Sequence, residues 1–133
     1  MLSSSQNRQT KQAMKDEQRR RLEVIDWWAV GCLIYEFIVG VSPFADETIE
    51  KIYANIQRHS IEWPDPGYED EQMPPEAKDL IEKFLEVDPR KRLGWDGTHK
   101  IKSHPFFKKI DWKTLREQKA YFDVKGLNDS SNF

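Results

Sequence analysis

The chain has 133 residues, of which 38% are hydrophobic and 33% charged, with a net charge of -2. That length suffices for one small domain with a core, and the near-neutral charge excludes a general electrostatic pull toward nucleic acid or membrane. A single cysteine, Cys32, cannot close an internal disulfide, and the N-terminus lacks the apolar stretch of a secretory signal.

Residues 1–25 come first in chain order. They are polar, include Ser3-Ser4-Ser5 and Arg19-Arg20-Arg21, and carry six basic against three acidic side chains. The remainder carries fifteen basic and twenty acidic side chains. With few apolar anchors, residues 1–25 are expected to be disordered or a frayed helix. The arginine run is read as a solvated charge cluster rather than a nuclear signal or a phosphate-binding patch.

Residues 24–41 form the most apolar stretch, with fourteen apolar residues of eighteen. A membrane span needs about 20 residues, and Asp26 and Glu36 would each cost about 2.5–3.5 kcal/mol near a bilayer centre. A helix buried in a globular domain is therefore expected. Asp26 is a candidate N-cap for it, and Gly40 a natural residue just past its C-terminus. Cys32 should behave there as a small hydrophobe.

Val41-Ser42-Pro43-Phe44 reads as a turn. Asp46 can cap a second helix, whose Ile49, Ile52, Tyr53 and Ile56 share one face. Trp63-Pro64-Asp65-Pro66-Gly67 is a loop. Pro74-Pro75 opens a third helix carrying Ala77, Leu80, Ile81, Phe84 and Leu85, and Asp88-Pro89 ends it. Thr98 can cap a short fourth helix that stops before Pro105. No stretch alternates as a strand does, so the fold class is all-α. The expected division is a polar segment 1–25, a helical core 26–107, and an aromatic-rich extension with a polar tail, 108–133. His99 and His104 stand five residues apart, on different helix faces, and no second cluster completes a metal site. The five tryptophans lack the basic interleaving of a base-stacking platform.

Several motifs occur in one order. They are Asp26-Trp27-Trp28-Ala29-Val30-Gly31, Gly40-Val41-Ser42-Pro43-Phe44, the Trp63-Pro64 loop, Glu76-Ala77-Lys78-Asp79-Leu80, Asp88-Pro89-Arg90-Lys91-Arg92-Leu93-Gly94 and His104-Pro105-Phe106-Phe107. That order resembles helices F to I of a protein kinase C-lobe. The Asp-Trp-Trp opening and Ile110-Asp111-Trp112-Lys113-Thr114-Leu115 resemble the AGC class of serine/threonine kinases. Tyr35-Glu36-Phe37-Ile38-Val39-Gly40-Val41 is most similar to its Greatwall, MAST and plant IRE-type branch. The resemblance covers about residues 24–133.

The resemblance implies roles for particular residues. Asp26 matches the aspartate that accepts bonds from the catalytic loop; no catalytic loop precedes it here, so the N-cap role is favoured. Trp28 matches the indole packed beneath the activation segment, a position that plain core filling also explains, and Gly31 belongs to the same helix motif. Arg92 matches the arginine that pairs with the glutamate ending that segment. The chain has no Ala-Pro-Glu, so Arg92 is expected to be unpaired, paired differently, or solvated at a helix end. Glu36 matches an acid that faces a substrate arginine in basic-directed relatives; a rim residue bonded to structure is the plainer reading. Phe133 matches the tail aromatic that reaches the adenine pocket.

Phosphoryl transfer needs a glycine-rich loop, a paired lysine, a catalytic aspartate and asparagine, and a magnesium-binding Asp-Phe-Gly. Gly-x-Gly, His-Arg-Asp and Asp-Phe-Gly do not occur in the sequence. The expectation is the C-terminal part of a serine/threonine kinase, inert alone, with no catalytic residue, metal or cofactor of its own. ATP and Mg2+ are implied only for the complete family member. The alternative is a non-enzymatic helical module binding protein partners through its second helix. Neither nucleic acid nor membrane is expected as a partner, and the expected location is the cytoplasm or the nucleus. Exposed apolar surface at Trp27, Trp28 and Phe37 should make the chain prone to associate.

Overall fold

A computed structural model describes residues 4–64 and 73–119. Among them all regular structure is helical. Four α-helices occur, α1 (Ser4–Val39), α2 (Ile49–Arg58), α3 (Pro75–Phe84) and α4 (Thr98–Lys102), followed by a 3-10 turn at Pro105–Phe107.

Helix α1 is 36 residues long, about 54 Å at 1.5 Å per residue. It passes the expected boundary at residues 25 and 26 without a break. Asp26 therefore lies in mid-helix and is not an N-cap. Intrahelical pairs support the polar half. Arg21 bonds Glu17 at 2.9 Å, Arg19 lies 3.6 Å from Glu23, and Gln12 bonds Asp16 at 3.0 Å. At its far end Gly40 takes a φ of 87°, and its N–H donates to the Glu36 carbonyl at 2.8 Å. A glycine meets that left-handed conformation without penalty.

Two other caps differ from expectation. Thr48, not Asp46, caps α2, its hydroxyl accepting from the Lys51 N–H at 3.3 Å. Asp46 instead accepts from the Glu47 N–H at 2.7 Å and from the Asn55 side chain at 3.2 Å. The cap of α4 is Gly97, with Thr98 its first helical residue. Pro75 opens α3 as expected, because its missing N–H would have had no helical acceptor.

The core lies between α1 and α3. One cluster joins Tyr35, Phe44, Ile81 and Leu85, with Trp28, Cys32 and Trp63 against it. A second joins Leu80, Phe84 and Ile101, with Trp27, Val30 and Leu93 against it. Gly31 marks the closest approach of the two helices. A Cβ there would lie 2.8 Å from the Phe84 Cβ and 3.1 Å from a Leu85 methyl. Trp27 stacks on Phe84 with centroids 5.7 Å apart, and Trp28 stacks on Phe44 at 5.6 Å. Both indoles are thus half-buried and leave only part of their surface open. Phe37 is 83% exposed and contributes the open apolar surface expected of it.

Candidate functional site: the Arg92 anchor

The segment after α3 folds back on the polar half of α1. Asp88 starts the turn, its carboxylate accepting from the Arg90 N–H at 2.9 Å and its carbonyl from the N–H groups of Lys91 and Arg92. Gly94 follows with a φ of 104°. A Cβ there would fall 2.4 Å from Trp27 Cδ1, so glycine is needed for both conformation and space.

This turn drives Arg92 inward, leaving it 8% exposed. Its Nε donates to the Glu86 carbonyl at 2.9 Å, Nη1 to the Val24 carbonyl at 2.9 Å, and Nη2 to the Val87 carbonyl at 3.4 Å. The guanidinium carbon sits 4.9 Å from the Trp28 ring centroid, a cation–π distance. Burial pushes the Arg92 pKa down, partly opposed by the charges of Glu86 and Asp88. Among the described residues no carboxylate bonds to it. Arg92 is therefore neither a solvated helix-end charge nor a free partner. Main-chain oxygens satisfy its fork, and a planar guanidinium reaches three of them where an ammonium would not.

Beside it the polar half of α1 makes two further contacts. Arg90 bonds Glu17 at 2.8 Å, and Arg20 lies 5.7 Å from the Trp95 ring centroid. Glu17 is held below the usual carboxylate range by Arg90 first and Arg21 second. An open pocket of about 350 Å³ adjoins the anchor, lined by Ile25, Trp28, Ile56, Gln57, Val87 and Arg92.

The structure brings Trp28, Gly31 and Arg92 to one side of α1, against α3 and the turn after it. Asp26 and Glu36 are exposed on the opposite side. Phe133 lies outside the described residues. Among the described residues no group of three or more His, Cys, Asp or Glu side chains is arranged to hold a metal ion.

Sequence reasoning missed one buried polar link. His104 is 6% exposed and its Nε2 lies 2.7 Å from Asp79 Oδ2, while Nδ1 accepts from the Phe106 N–H at 3.2 Å. The Nδ1 acceptor role leaves Nε2 as the donor, so His104 ties α3 to the 3-10 turn. His-Pro at the start of that turn was the available signal. The extension then docks through Trp112, whose Nε1 donates to the Lys102 carbonyl at 3.0 Å and whose ring meets Phe107 edge-on at 5.3 Å.

Comparison with known proteins accounts for this arrangement. The protein kinase domain model matches residues 14–107. The chain is 47% identical over 110 residues to the serine/threonine-protein kinase pkgA of Dictyostelium discoideum, covering 81% of this chain and 8% of that protein. It is 46% identical over 117 residues to the serine/threonine-protein kinase RIM15 of Saccharomyces cerevisiae, covering 76% of this chain and 7% of that protein. With the serine/threonine protein kinase IRE4 of Arabidopsis thaliana it shares 43% identity over 111 residues, 81% of this chain and 10% of the relative. The chain thus spans a tenth or less of the length of each of these relatives. It belongs to the protein kinase family, and carries helices of the C-lobe of an AGC-type serine/threonine kinase.

Proposed function

We propose that the chain supplies the C-lobe helical scaffold of a serine/threonine kinase and transfers no phosphoryl group by itself. The observation that carries this reading is the saturation of Arg92. The side chain that would anchor an activation segment is held instead by the carbonyls of Val24, Glu86 and Val87. The residues present do not fit ATP and Mg2+, because no glycine-rich loop, catalytic loop or Asp-Phe-Gly occurs in the sequence. Loss of one charge-stabilising part of a phosphoryl-transfer site costs about 10³–10⁵ in rate, and here several are missing together. In the complete protein, ATP-dependent phosphorylation of serine or threonine would be carried out by parts outside this chain, in the cytoplasm or the nucleus. Among the described residues no helix is long and apolar enough to cross a membrane.

The test is calorimetric titration of the 133-residue chain with Mg-ATP beside a radiolabelled phosphate-transfer assay on a basic peptide. No heat of binding and no transfer above a heat-killed control are expected. Micromolar binding or measurable turnover would overturn the reading.

A second reading has its own support. Ile49 is 67% exposed and Tyr53 63% exposed, so α2 offers apolar side chains to solvent. A non-enzymatic module that binds a protein partner through α2 would use them. Substituting both by serine would abolish such binding and leave the α1–α3 core intact.

A further inference from the structure

Residues 98–119 hold seven basic and two acidic side chains, a net +5, while the rest of the chain carries a net -7. The total of -2 conceals this excess, so a local surface attraction is open to the chain where a general one is not. The same stretch holds Phe106, Ile110, Trp112 and Leu115, each between 38% and 41% exposed. The fold gathers them. Phe107 meets Phe106 edge-on at 5.0 Å and Trp112 at 5.3 Å, and its carbonyl accepts from the Ile110 N–H at 2.9 Å. Lys102 Nζ lies 5.6 Å from the Trp112 ring centroid. The turn that carries Leu115 follows at once, closed by the Thr114 carbonyl, which accepts from the Glu117 N–H at 2.8 Å.

Carboxylates that flank this surface are already engaged. Glu76 pairs with Lys108 at 3.4 Å, Asp79 with Lys83 at 2.6 Å, and Asp96 with Lys100. Among the described residues no carboxylate pairs with Lys102, Lys109, Lys113, Arg116 or Lys119. Within the stretch these five cations are opposed by Asp111 and Glu117 alone, and Asp111 is bonded into its own turn, accepting from the Lys113 N–H at 3.0 Å.

We propose that residues 98–119 form a docking surface for an anionic phospholipid bilayer. The four open apolar side chains enter the headgroup boundary, and the unpaired cations lie among the phosphates around them. Basic groups gain from the negative potential of such a surface, and lysine stems lie along apolar material while their heads stay in water. A bilayer suits this set better than a nucleic acid. Ile110 and Leu115 have no ring to stack on a base, and the Trp112 Nε1–H is spent on the Lys102 carbonyl, so the indole offers an apolar body. Four of the five cations are lysines, point charges on flexible stems that suit a diffuse field more than a bidentate contact. An acidic protein would need carboxylates set in register with them, whereas a fluid bilayer rearranges its headgroups to meet them.

The experiment is co-sedimentation of the full chain with phospholipid vesicles, with far-UV circular dichroism as the folding control. The chain should bind vesicles of equal phosphatidylcholine and phosphatidylserine, leave those of phosphatidylcholine alone unbound, and come off the mixed vesicles as salt is added. Lys109→Glu combined with Lys113→Glu should lower partitioning by about tenfold or more, since each cation at such a surface is worth about fivefold. Ile110→Ser combined with Leu115→Ser should lower it by about fivefold with the charge unchanged. Lys11→Glu combined with Lys15→Glu alters the net charge equally on the exposed arm of α1 and should leave partitioning nearly unchanged. No binding of the parent chain to the mixed vesicles overturns the proposal. So does equal binding to phosphatidylcholine alone, an equal loss from the Lys11→Glu and Lys15→Glu pair, or binding to polyglutamate or single-stranded RNA with the mixed vesicles left unbound.

Discussion

The Nη1 of Arg92 donates to the carbonyl of Val24 at 2.9 Å, across 68 residues of sequence. That bond fastens α1 to the turn after α3. Val24 is itself fully buried, so the contact is screened from water on both partners. The same guanidinium lies against Trp28, and the three groups together fix the middle of α1 over the turn.

Replacing Arg92 by lysine keeps the charge and loses the fork. One ammonium cannot serve carbonyls of Val24, Glu86 and Val87 together, so the variant should lose about 1–3 kcal/mol of stability. Chemical denaturation measures the loss, and amide exchange should quicken locally around residues 20–28. By contrast, Arg90→Ala should have little effect, because the Glu17–Arg90 pair is exposed to solvent. An Arg92→Lys variant as stable as the parent would show that the anchor is dispensable.

Gly31→Val should weaken the α1–α3 contact. Its Cβ would press on Phe84 and Leu85, neither of which can withdraw from the core. Overpacking of this kind costs about 1–3 kcal/mol, more than the better helix propensity of valine returns. Thermal melting by circular dichroism is the check, with a lowered midpoint expected.

Trp112→Ala should release the extension without melting the core. The indole supplies both the bond to the Lys102 carbonyl and the edge contact with Phe107. Limited proteolysis should then cut faster within residues 108–119, while the melting midpoint stays near that of the parent.

Stability should fall at both ends of the pH range. On the acid side, Asp79 is held below its usual value by Lys83 first and His104 second, and Glu17 by Arg90 and Arg21. Asp96 is held down chiefly by Lys100, and Asp46 by the Glu47 N–H. Depressed carboxylates stabilise fully above the unfolded value of about 4 and lose that contribution as pH drops below it. On the alkaline side, burial raises the Cys32 thiol and the Tyr35 hydroxyl. Their contribution is whole below the unfolded values of about 8.5 and 10 and fades as pH climbs past them. Urea midpoints measured from pH 3 to 10 should therefore form a plateau between about 5 and 8.

The sequence by itself determined the helical class, the positions of α2, α3 and α4 to within a few residues, and the family. The class and the helix positions follow from local patterns: apolar residues at helical spacing, prolines at first turns, and glycines where φ is positive; the family follows from the order of the motifs, which resembles a kinase C-lobe. It also marked Asp26, Trp28, Gly31 and Arg92 as counterparts of kinase motifs. Only the tertiary structure decided what Arg92 holds, because its acceptors are main-chain carbonyls, which every residue owns and no side-chain pattern advertises. Only the tertiary structure likewise showed that the polar half of α1 touches the turn after α3. Glu17 and Arg20 appear solvated in sequence, yet they meet Arg90 and Trp95 from a distant turn. The end of α2 shows the same limit. His59 takes a left-handed φ of 53° where a glycine would be expected, and its ring packs beside Trp28 and Phe44. Packing against residues far along the chain overrode the local preference there, and such packing cannot be read until the fold has placed them side by side.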